Sequence, residues 1–113
     1  MSKSYCVYIL ASRKYGALYV GVTSDLAGRV YLHKEDVVRG QTSRYHIHDL
    51  VYFEVHDSPE SAIVREKQIK KWRRAWKIEL IEKDNPDWRD LMMRSHHSKQ
   101  KFPLSREPPL LDA

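Results

Sequence analysis

The chain has 113 residues, which suits one domain with a single hydrophobic core and leaves little room for a second independent module. Lys and Arg number 20 against 15 Asp and Glu, so the formal net charge is +5, a balance that favours a polyanionic partner but also fits ordinary solubility charge. The single cysteine, Cys6, excludes an internal disulfide, and no apolar run is long enough for a signal peptide or a membrane helix. We therefore expect a cytoplasmic protein without membrane association.

Two short segments rich in Val, Ile and Tyr predict a β-hairpin near the start of the chain. They cover Tyr5–Leu10 and Leu18–Val22, and the polar loop between them contains a glycine. Alternation places Tyr8 on the face opposite the valine and isoleucine of the first strand, and it places Tyr19 and Gly21 together on one face of the second. Because both faces carry large apolar groups, we expect the hairpin to be covered on both sides.

A helix and a third strand follow the hairpin. Good N-cap residues precede the segment Asp25–Arg39 and a glycine follows it, so this segment is predicted to be a helix. Its apolar stripe includes His33. A polar loop that carries Tyr45 then leads into a predicted strand over Leu50–Val55.

Helical signals dominate the rest of the chain up to residue 94. Ser58-Pro59-Glu60 has a capping serine, a proline at the first helical position and an acid in the first turn, which is typical of a helix start. The apolar stripe of this helix runs through Ala62, Ile69, Trp72 and Trp76. Whether the helix breaks near Arg73–Ala75 stays an open question at this point. Asn85-Pro86 ends the helix, and Asp87–Met93 is predicted to form a last short helix.

The order β-β-α-β-α-α predicts an α+β fold, a small three-stranded, mainly antiparallel sheet flanked by helices. We expect residues 1–94 to form this domain. Residues 95–113 are polar and rich in proline, which predicts a flexible C-terminal tail.

Five polar side chains lie on elements that otherwise face a core, namely Tyr8, Tyr19, Arg29, His33 and Glu66. A carboxylate on the flank of an apolar stripe needs a cation, a metal ion or solvent, although a helical pair with the lysine four residues later would also explain it. A guanidinium can bridge two phosphate oxygens, and an imidazole one turn later can move a proton. Each residue alone also fits plain packing; together they suggest a site for a phosphodiester.

The stretch from Arg65 to Lys77 is strongly basic and contains one acid. Such a face would bind a phosphate backbone through counterion release, although a solvated helix face is the simpler alternative. The predicted nucleic-acid-binding residues are Arg65, Lys67, Lys70, Lys71, Arg73, Arg74 and Lys77.

The ordered set of motifs resembles the GIY-YIG nuclease domain, in particular its small stand-alone bacterial members. The matching residues are Cys6-Val7-Tyr8, Tyr19-Val20-Gly21, Thr23, Asp25-Leu26, Arg29, His33, Glu66, Thr42-Ser43-Arg44-Tyr45, Leu50-Val51-Tyr52-Phe53-Glu54, Arg65-Glu66-Lys67-Gln68-Ile69-Lys70 and Asn85-Pro86-Asp87-Trp88. The resemblance covers roughly residues 4 to 93. Cys6 stands where the family name has its first glycine.

The resemblance implies a metal-dependent endonuclease that hydrolyses phosphodiester bonds, most plausibly in DNA, with one divalent cation that is usually Mg²⁺. It implies that Glu66 holds the cation and that Arg29 stabilises charge on the scissile phosphate. It also implies that Tyr8, helped by His33, activates water and that Tyr19 positions the phosphate or the water.

Two further residues match family positions: Tyr45 falls where relatives place a Tyr or His, and Asn85 matches a late asparagine. The chain has no room for a recognition module, so we expect structure-selective or weakly sequence-specific cleavage. Repair, recombination and defence all stay open as pathways. The alternative is a non-catalytic nucleic-acid-binding module that retains the nuclease fold.

Overall fold

Three strands and three helices make up the part of the chain that this computed structural model describes, residues 4–35 and 46–92. In chain order they are β1 (Tyr5–Ala11), β2 (Leu18–Thr23), α1 (Leu26–Lys34), β3 (Asp49–His56), α2 (Pro59–Lys71) and α3 (Arg74–Asp84). The strands form one antiparallel sheet in the order β2-β1-β3. The predicted α+β architecture is confirmed. None of these helices is long and apolar enough to cross a bilayer.

Each face of the sheet carries its own hydrophobic core. The core on one face contains Val7, Ile9, Ala11, Val20, Val51, Ala62, Ile69, Ile81 and Trp88. The core on the other face contains Tyr8, Leu10, Val30, Ile47 and Leu50. The alternation of β1 therefore sends its side chains into two different cores, and the hairpin is covered on both sides as predicted. Burying one large apolar side chain of this kind contributes about 1.5–3 kcal/mol.

Local capping explains where α1 and α2 begin. The Asp25 carboxylate accepts a hydrogen bond from the Gly28 backbone N–H at 3.1 Å, and a Cβ on Gly28 would collide with that carboxylate. Ser58 caps α2 through the Ser61 backbone N–H at 3.2 Å, and Pro59 opens the helix as predicted. The structure ends α1 at Lys34, and the remainder of the predicted helix lies in residues 36–45, outside the described part of the chain.

The predicted break in the long helical stretch lies at Trp72 and Arg73. Both residues are extended, with ψ angles of 149° and 157°, and α3 begins at the next residue. The break removes Trp76 from the apolar stripe of α2. Trp72 is half-buried, whereas Trp76 is 47% exposed, so the prediction that Trp76 continues the stripe is wrong.

The segment that follows α3 is irregular up to Met92, which corrects the prediction of a short helix from residue 87. Trp88 has a φ of 57°, a left-handed conformation that a right-handed helix does not contain. The Leu91 backbone N–H donates instead to the Leu50 carbonyl of β3 at 2.7 Å. Tertiary hydrogen bonds to β3 replace helical ones here. Residues from 93 onward, including the predicted tail, lie outside the described part.

Candidate active site

Tyr8, Tyr19 and His33 form a ring cluster on the α1 side of the sheet. The Tyr8 hydroxyl and His33 Nε2 are hydrogen-bonded at 3.3 Å. The Tyr19 ring lies 6.3 Å from the Tyr8 ring and 5.3 Å from the His33 imidazole, measured between centroids. Tyr8 and His33 are only 2% and 1% exposed. The fold therefore brings together three predicted site residues from two strands and one helix.

Gly21 makes room for the Tyr8 side chain. The two residues are paired across β1 and β2, and the Tyr8 ring lies over the glycine. A Cβ added at Gly21 would lie 2.5 Å from the Tyr8 hydroxyl oxygen and 2.6 Å from Cζ. Without a side chain at position 21, the tyrosine can lie across β2 and hold its hydroxyl against His33.

Gly21→Ala is expected to lower the free energy of unfolding by about 1–3 kcal/mol, because the new methyl group overpacks a buried ring. Urea denaturation measures the change. In a Tyr8→Phe background the nearest clashing atom is gone, so the same substitution should cost less. An equal cost in the two backgrounds would show that the hydroxyl is not what Gly21 accommodates.

Charges near the cluster set its protonation. Burial raises the pKa of the Tyr8 hydroxyl, the Tyr19 hydroxyl and the Glu66 carboxylate raise it further, and the Arg29 guanidinium acts in the opposite direction. Burial lowers the pKa of the His33 imidazole below its usual value of 6.5, and the positive charge of Arg29 adds to this effect. At neutral pH, Tyr8 is therefore protonated and His33 is neutral. Arg29 acts electrostatically on Tyr8 and His33, and Glu66 acts on Tyr8.

Glu66 is the buried carboxylate of the site. It lies in the middle of α2 with 8% of its surface exposed, and its Oε2 pairs with Lys70 Nζ at 2.5 Å. The helical pair considered as an alternative is therefore present. The Lys70 side chain is 52% exposed, so it can leave Glu66 for solvent without a large desolvation cost.

The donor set fits a cation held by one carboxylate. In residues 4–35 and 46–92, no three His, Cys, Asp or Glu side chains lie close enough together to share a metal ion. Mg²⁺ is commonly bound by one or two carboxylates, with water and substrate phosphate oxygens at its other positions. Glu66 meets that requirement, whereas a structural zinc site needs about four protein ligands.

Arg29 lies on α1 one turn before His33. Its side chain is exposed, unlike those of Tyr8 and His33. An exposed guanidinium one turn from His33 can donate hydrogen bonds to a phosphate that approaches from solvent.

Asn85 binds backbone groups in the structure, and its predicted catalytic role stays a prediction. The side chain is 3% exposed, and its Nδ2 donates to the carbonyls of Val51 and Arg89 at 3.1 and 2.9 Å. Its Oδ1 accepts from the Arg89 backbone N–H at 3.0 Å. An amide whose donors and acceptor all bind backbone stabilises the turn after α3. Tyr45 lies outside the described residues, and its predicted role stays a prediction.

Two members of the predicted basic surface have structural partners. Arg65 Nε donates to both carboxylate oxygens of Glu54 at 3.2 and 3.0 Å. Arg74 Nη2 donates to the carbonyls of Tyr15 and Gly16 at 2.7 Å each, tying α3 to the tip of the hairpin. The Arg65 guanidinium therefore connects α2 to β3, and the Arg74 guanidinium connects α3 to the turn between β1 and β2.

The other basic residues of this surface are divided between two helices. Arg73 lies 4.9 Å from the Trp76 ring, and Lys70 is paired with Glu66. Lys67 and Lys71 are exposed on α2, whereas Lys77 belongs to α3. The break at Trp72 therefore splits the predicted continuous basic face into smaller patches.

Sequence reasoning missed a polar network on β3 centred on Glu54. Burial would raise the pKa of Glu54, but hydrogen bonds from Tyr52, His56 and Arg65 outweigh it and hold the pKa below its usual value. His56 Nδ1 also lies 2.9 Å from the Ser61 hydroxyl on α2. The signal in the sequence is the alternation of Tyr52, Glu54 and His56 along the strand. This network joins β3 to α2, the helix that carries Glu66.

A buried tyrosine–histidine pair, an exposed arginine and a buried carboxylate thus lie on the elements around a small antiparallel sheet, in a domain of the α+β class. Comparison with known families identifies this domain, because the model of the GIY-YIG catalytic domain matches residues 4–79. The chain belongs to the GIY-YIG family.

Relatives of similar size support this membership. UPF0213 proteins from Staphylococcus aureus strains Mu3 and N315 are each 36% identical over 83 residues, covering 69% of this chain and 94% of their own. The solution NMR structure of the UPF0213 protein BH0048 from Bacillus halodurans superposes with a TM-score of 0.50 at 26% identity, covering 79% of this chain and 94% of that one. The names of these relatives state no activity.

Proposed function

We propose that this protein is a divalent-metal-dependent endonuclease that hydrolyses phosphodiester bonds in DNA, with structure-selective or weakly sequence-specific cleavage. The observation that carries the proposal is the buried Tyr8–His33 hydrogen bond, under the electrostatic influence of Arg29 and Glu66. Membership of the GIY-YIG family supports a nuclease. The formal charge of +5 favours a polyanionic substrate.

His33 is the terminal proton acceptor in this proposal. It is neutral at pH 7, so its imidazole can take a proton. Tyr8 keeps its proton at that pH, because its own pKa is raised. As water attacks phosphorus, Tyr8 receives a proton from the water and passes its hydroxyl proton to His33 Nε2. The phosphorus–oxygen bond to the leaving group then breaks, the leaving oxygen takes a proton from solvent water, and His33 returns its proton to solvent to complete the cycle. This relay needs only the contact already present between the two side chains.

Arg29 and Tyr19 bind and orient the phosphate. The exposed guanidinium can donate two parallel hydrogen bonds to non-bridging oxygens, which offsets the charge that grows there as water attacks. Tyr19 packs against both rings of the relay and can direct its hydroxyl toward the same phosphate or the attacking water. In this proposal Arg29 and Tyr19 position the phosphate, and Tyr8 and His33 carry out the proton transfer.

Glu66 would hold the cation, Mg²⁺ or another divalent ion. A divalent ion at this carboxylate supplies positive charge that stabilises the phosphate and the leaving oxygen. The role of α2 is to keep the carboxylate buried, so that only a small, strongly charged ligand can displace Lys70.

A non-catalytic nucleic-acid-binding module is the second candidate, and the Glu66–Lys70 ion pair favours it. If that pair persists, the carboxylate is occupied and the domain binds DNA without cutting it. This candidate predicts salt-dependent binding that is unaffected by metal ions and by the loss of Glu66.

Arg29→Ala tests the proposal with supercoiled, branched and single-stranded DNA in the presence of Mg²⁺. We expect the substitution to lower the cleavage rate about 100- to 1,000-fold, as the loss of one donor to a developing oxyanion does. The exposed Arg13→Ala is the matched control and should cut like the wild type. Absence of cleavage of every substrate by the wild-type protein, or full activity of Arg29→Ala, would refute the proposal.

A further inference from the structure

An apolar strip lies on the sheet face that carries Tyr8, one strand away from it. Phe53 and Val55 of β3 are 38% and 59% exposed. The register pairs Tyr8 with Phe53 on one side and with Gly21 on the other, and it pairs Cys6 with Val55. Directly opposed residues of antiparallel strands project from the same face. Phe53 therefore shares its face and its cross-strand row with the relay tyrosine.

The Tyr8 ring leaves Phe53 uncovered. It lies over Gly21, toward β2 and away from β3. On this face α1 contributes Val30 to the core around Leu10 and Leu50, farther along the strands. The result is an exposed aromatic ring beside the candidate site. Since neighbouring strands are about 4.8 Å apart, the backbone of β3 at Phe53 lies only about 5 Å from the backbone of β1 at Tyr8.

We propose that Phe53, flanked by Val55, is a stacking platform for an unpaired nucleobase next to the phosphate that is cleaved. The inference rests on the proposed nuclease function and names its substrate class, nucleic acid that is single-stranded or locally opened at the cut. In a duplex both faces of a base are covered by its neighbours, so only an unpaired base can lie on an exposed ring.

The apolar strip lies next to the ring cluster, and this position indicates that its occupant is a nucleobase. A nucleotide joins an anionic group to a flat apolar one, and the face offers the exposed Arg29 for the first and Phe53 for the second. Stacking does not require a particular base, which matches the weakly sequence-specific cleavage proposed above. β3 is also an edge strand, so a second copy of the chain is the competing occupant.

The test measures binding of a fluorescein-labelled 12-nucleotide single strand by anisotropy in EDTA, where cleavage does not interfere. Phe53→Ala is expected to weaken binding about 5- to 150-fold, the effect of losing one stacked base. Phe53→Trp should bind as tightly as the wild type or more tightly. Phe53→Leu keeps an apolar side chain without the aromatic face and should bind nearly as weakly as the alanine variant, so it replaces that variant if Phe53→Ala fails to fold. Val64→Ala, at a 66% exposed apolar position on α2, is the matched control and should bind normally.

A second readout identifies the contact as stacking. The oligonucleotides for this readout have the same sequence, and each lacks the base at one different position. For the strand that lacks the stacking base, Phe53→Ala and the wild-type protein should bind equally well. The inference is overturned if Phe53→Ala binds the single strand like the wild type, or if the wild-type protein binds no single strand. It is also overturned if the wild-type protein sediments as a dimer and Phe53→Ala abolishes that dimer without changing DNA binding. Cleavage that depends on Arg29 but not on Phe53 would leave the proposed function intact and reject this inference alone.

Discussion

Glu66→Gln is expected to slow DNA cleavage by at least about 1,000-fold, because it removes the carboxylate that would hold a divalent cation. Glutamine has nearly the same shape and lacks the charge. The fold should survive, since the ion pair that Glu66 forms is with Lys70, whose side chain is half-exposed, and an ion pair of that kind contributes little to stability. The cleavage rate under excess substrate and a Mg²⁺ titration measure the effect. Thermal unfolding checks that the variant is folded.

Glu60→Gln is the matched control for that experiment. Glu60 is an exposed acid in the first turn of the same helix, so the substitution changes the same charge at a distance from the ring cluster. We expect it to cut at the wild-type rate with an unchanged Mg²⁺ dependence. Cleavage by Glu66→Gln at the wild-type rate would exclude Glu66 as the cation ligand, whereas salt-dependent DNA binding without cleavage by either protein would favour the non-catalytic module.

Replacing His33 with glutamine is expected to lower the cleavage rate about 100- to 10,000-fold, the range for the loss of a general base. The pH dependence distinguishes this role from packing. The wild-type rate should rise with pH through a pKa below 6.5 and reach a plateau by neutral pH, because only neutral His33 accepts the proton. His33→Gln should lose this acidic limb. The exposed His46→Asn should keep it, since asparagine tolerates the φ of 53° at that position.

The same histidine makes stability dependent on pH. Its pKa is lower in the folded chain than in the unfolded chain, so below pH 6.5 the unfolded state binds more protons than the folded state. The stability contributed by neutral, buried His33 is fully present above pH 6.5 and declines as the pH falls toward its folded-state pKa. His33→Gln should remove this part of the decline in urea denaturation. An identical decline in both proteins would mean that His33 is not buried in its neutral form.

Local physical chemistry made much of the fold predictable. Alternation placed Tyr8 on the face of β1 opposite Val7 and Ile9, and it placed Tyr19 and Gly21 together on one face of β2, because successive side chains of a strand point to opposite sides. Ser58 and Pro59 marked the start of α2, because caps and proline act within one helical turn. The contacts within the ring cluster depend in addition on strand register and helix docking, which alternation does not determine.

Features that depend on distant partners were not predictable in this way. Residues 87–92 carry helical signals, yet Asp90 and Leu91 form hydrogen bonds with the Leu50 backbone of β3. Asn85 looks like a site residue in the sequence, but a buried backbone needs its amide. Arg65 and Arg74 have the charge of a DNA-binding surface, and the fold uses both guanidinium groups to hold elements together.

The sequence by itself therefore determined the family, the antiparallel α+β architecture and the set of polar residues that converge. These follow from periodicity, caps and ordered motifs that act over a few residues. Only the tertiary structure decided that Tyr8 crosses Gly21 to reach His33, that Lys70 pairs with Glu66, and that Phe53 stays exposed beside them. Each of these depends on strand register and helix docking, where the free energy of packing among distant residues outweighs local preference.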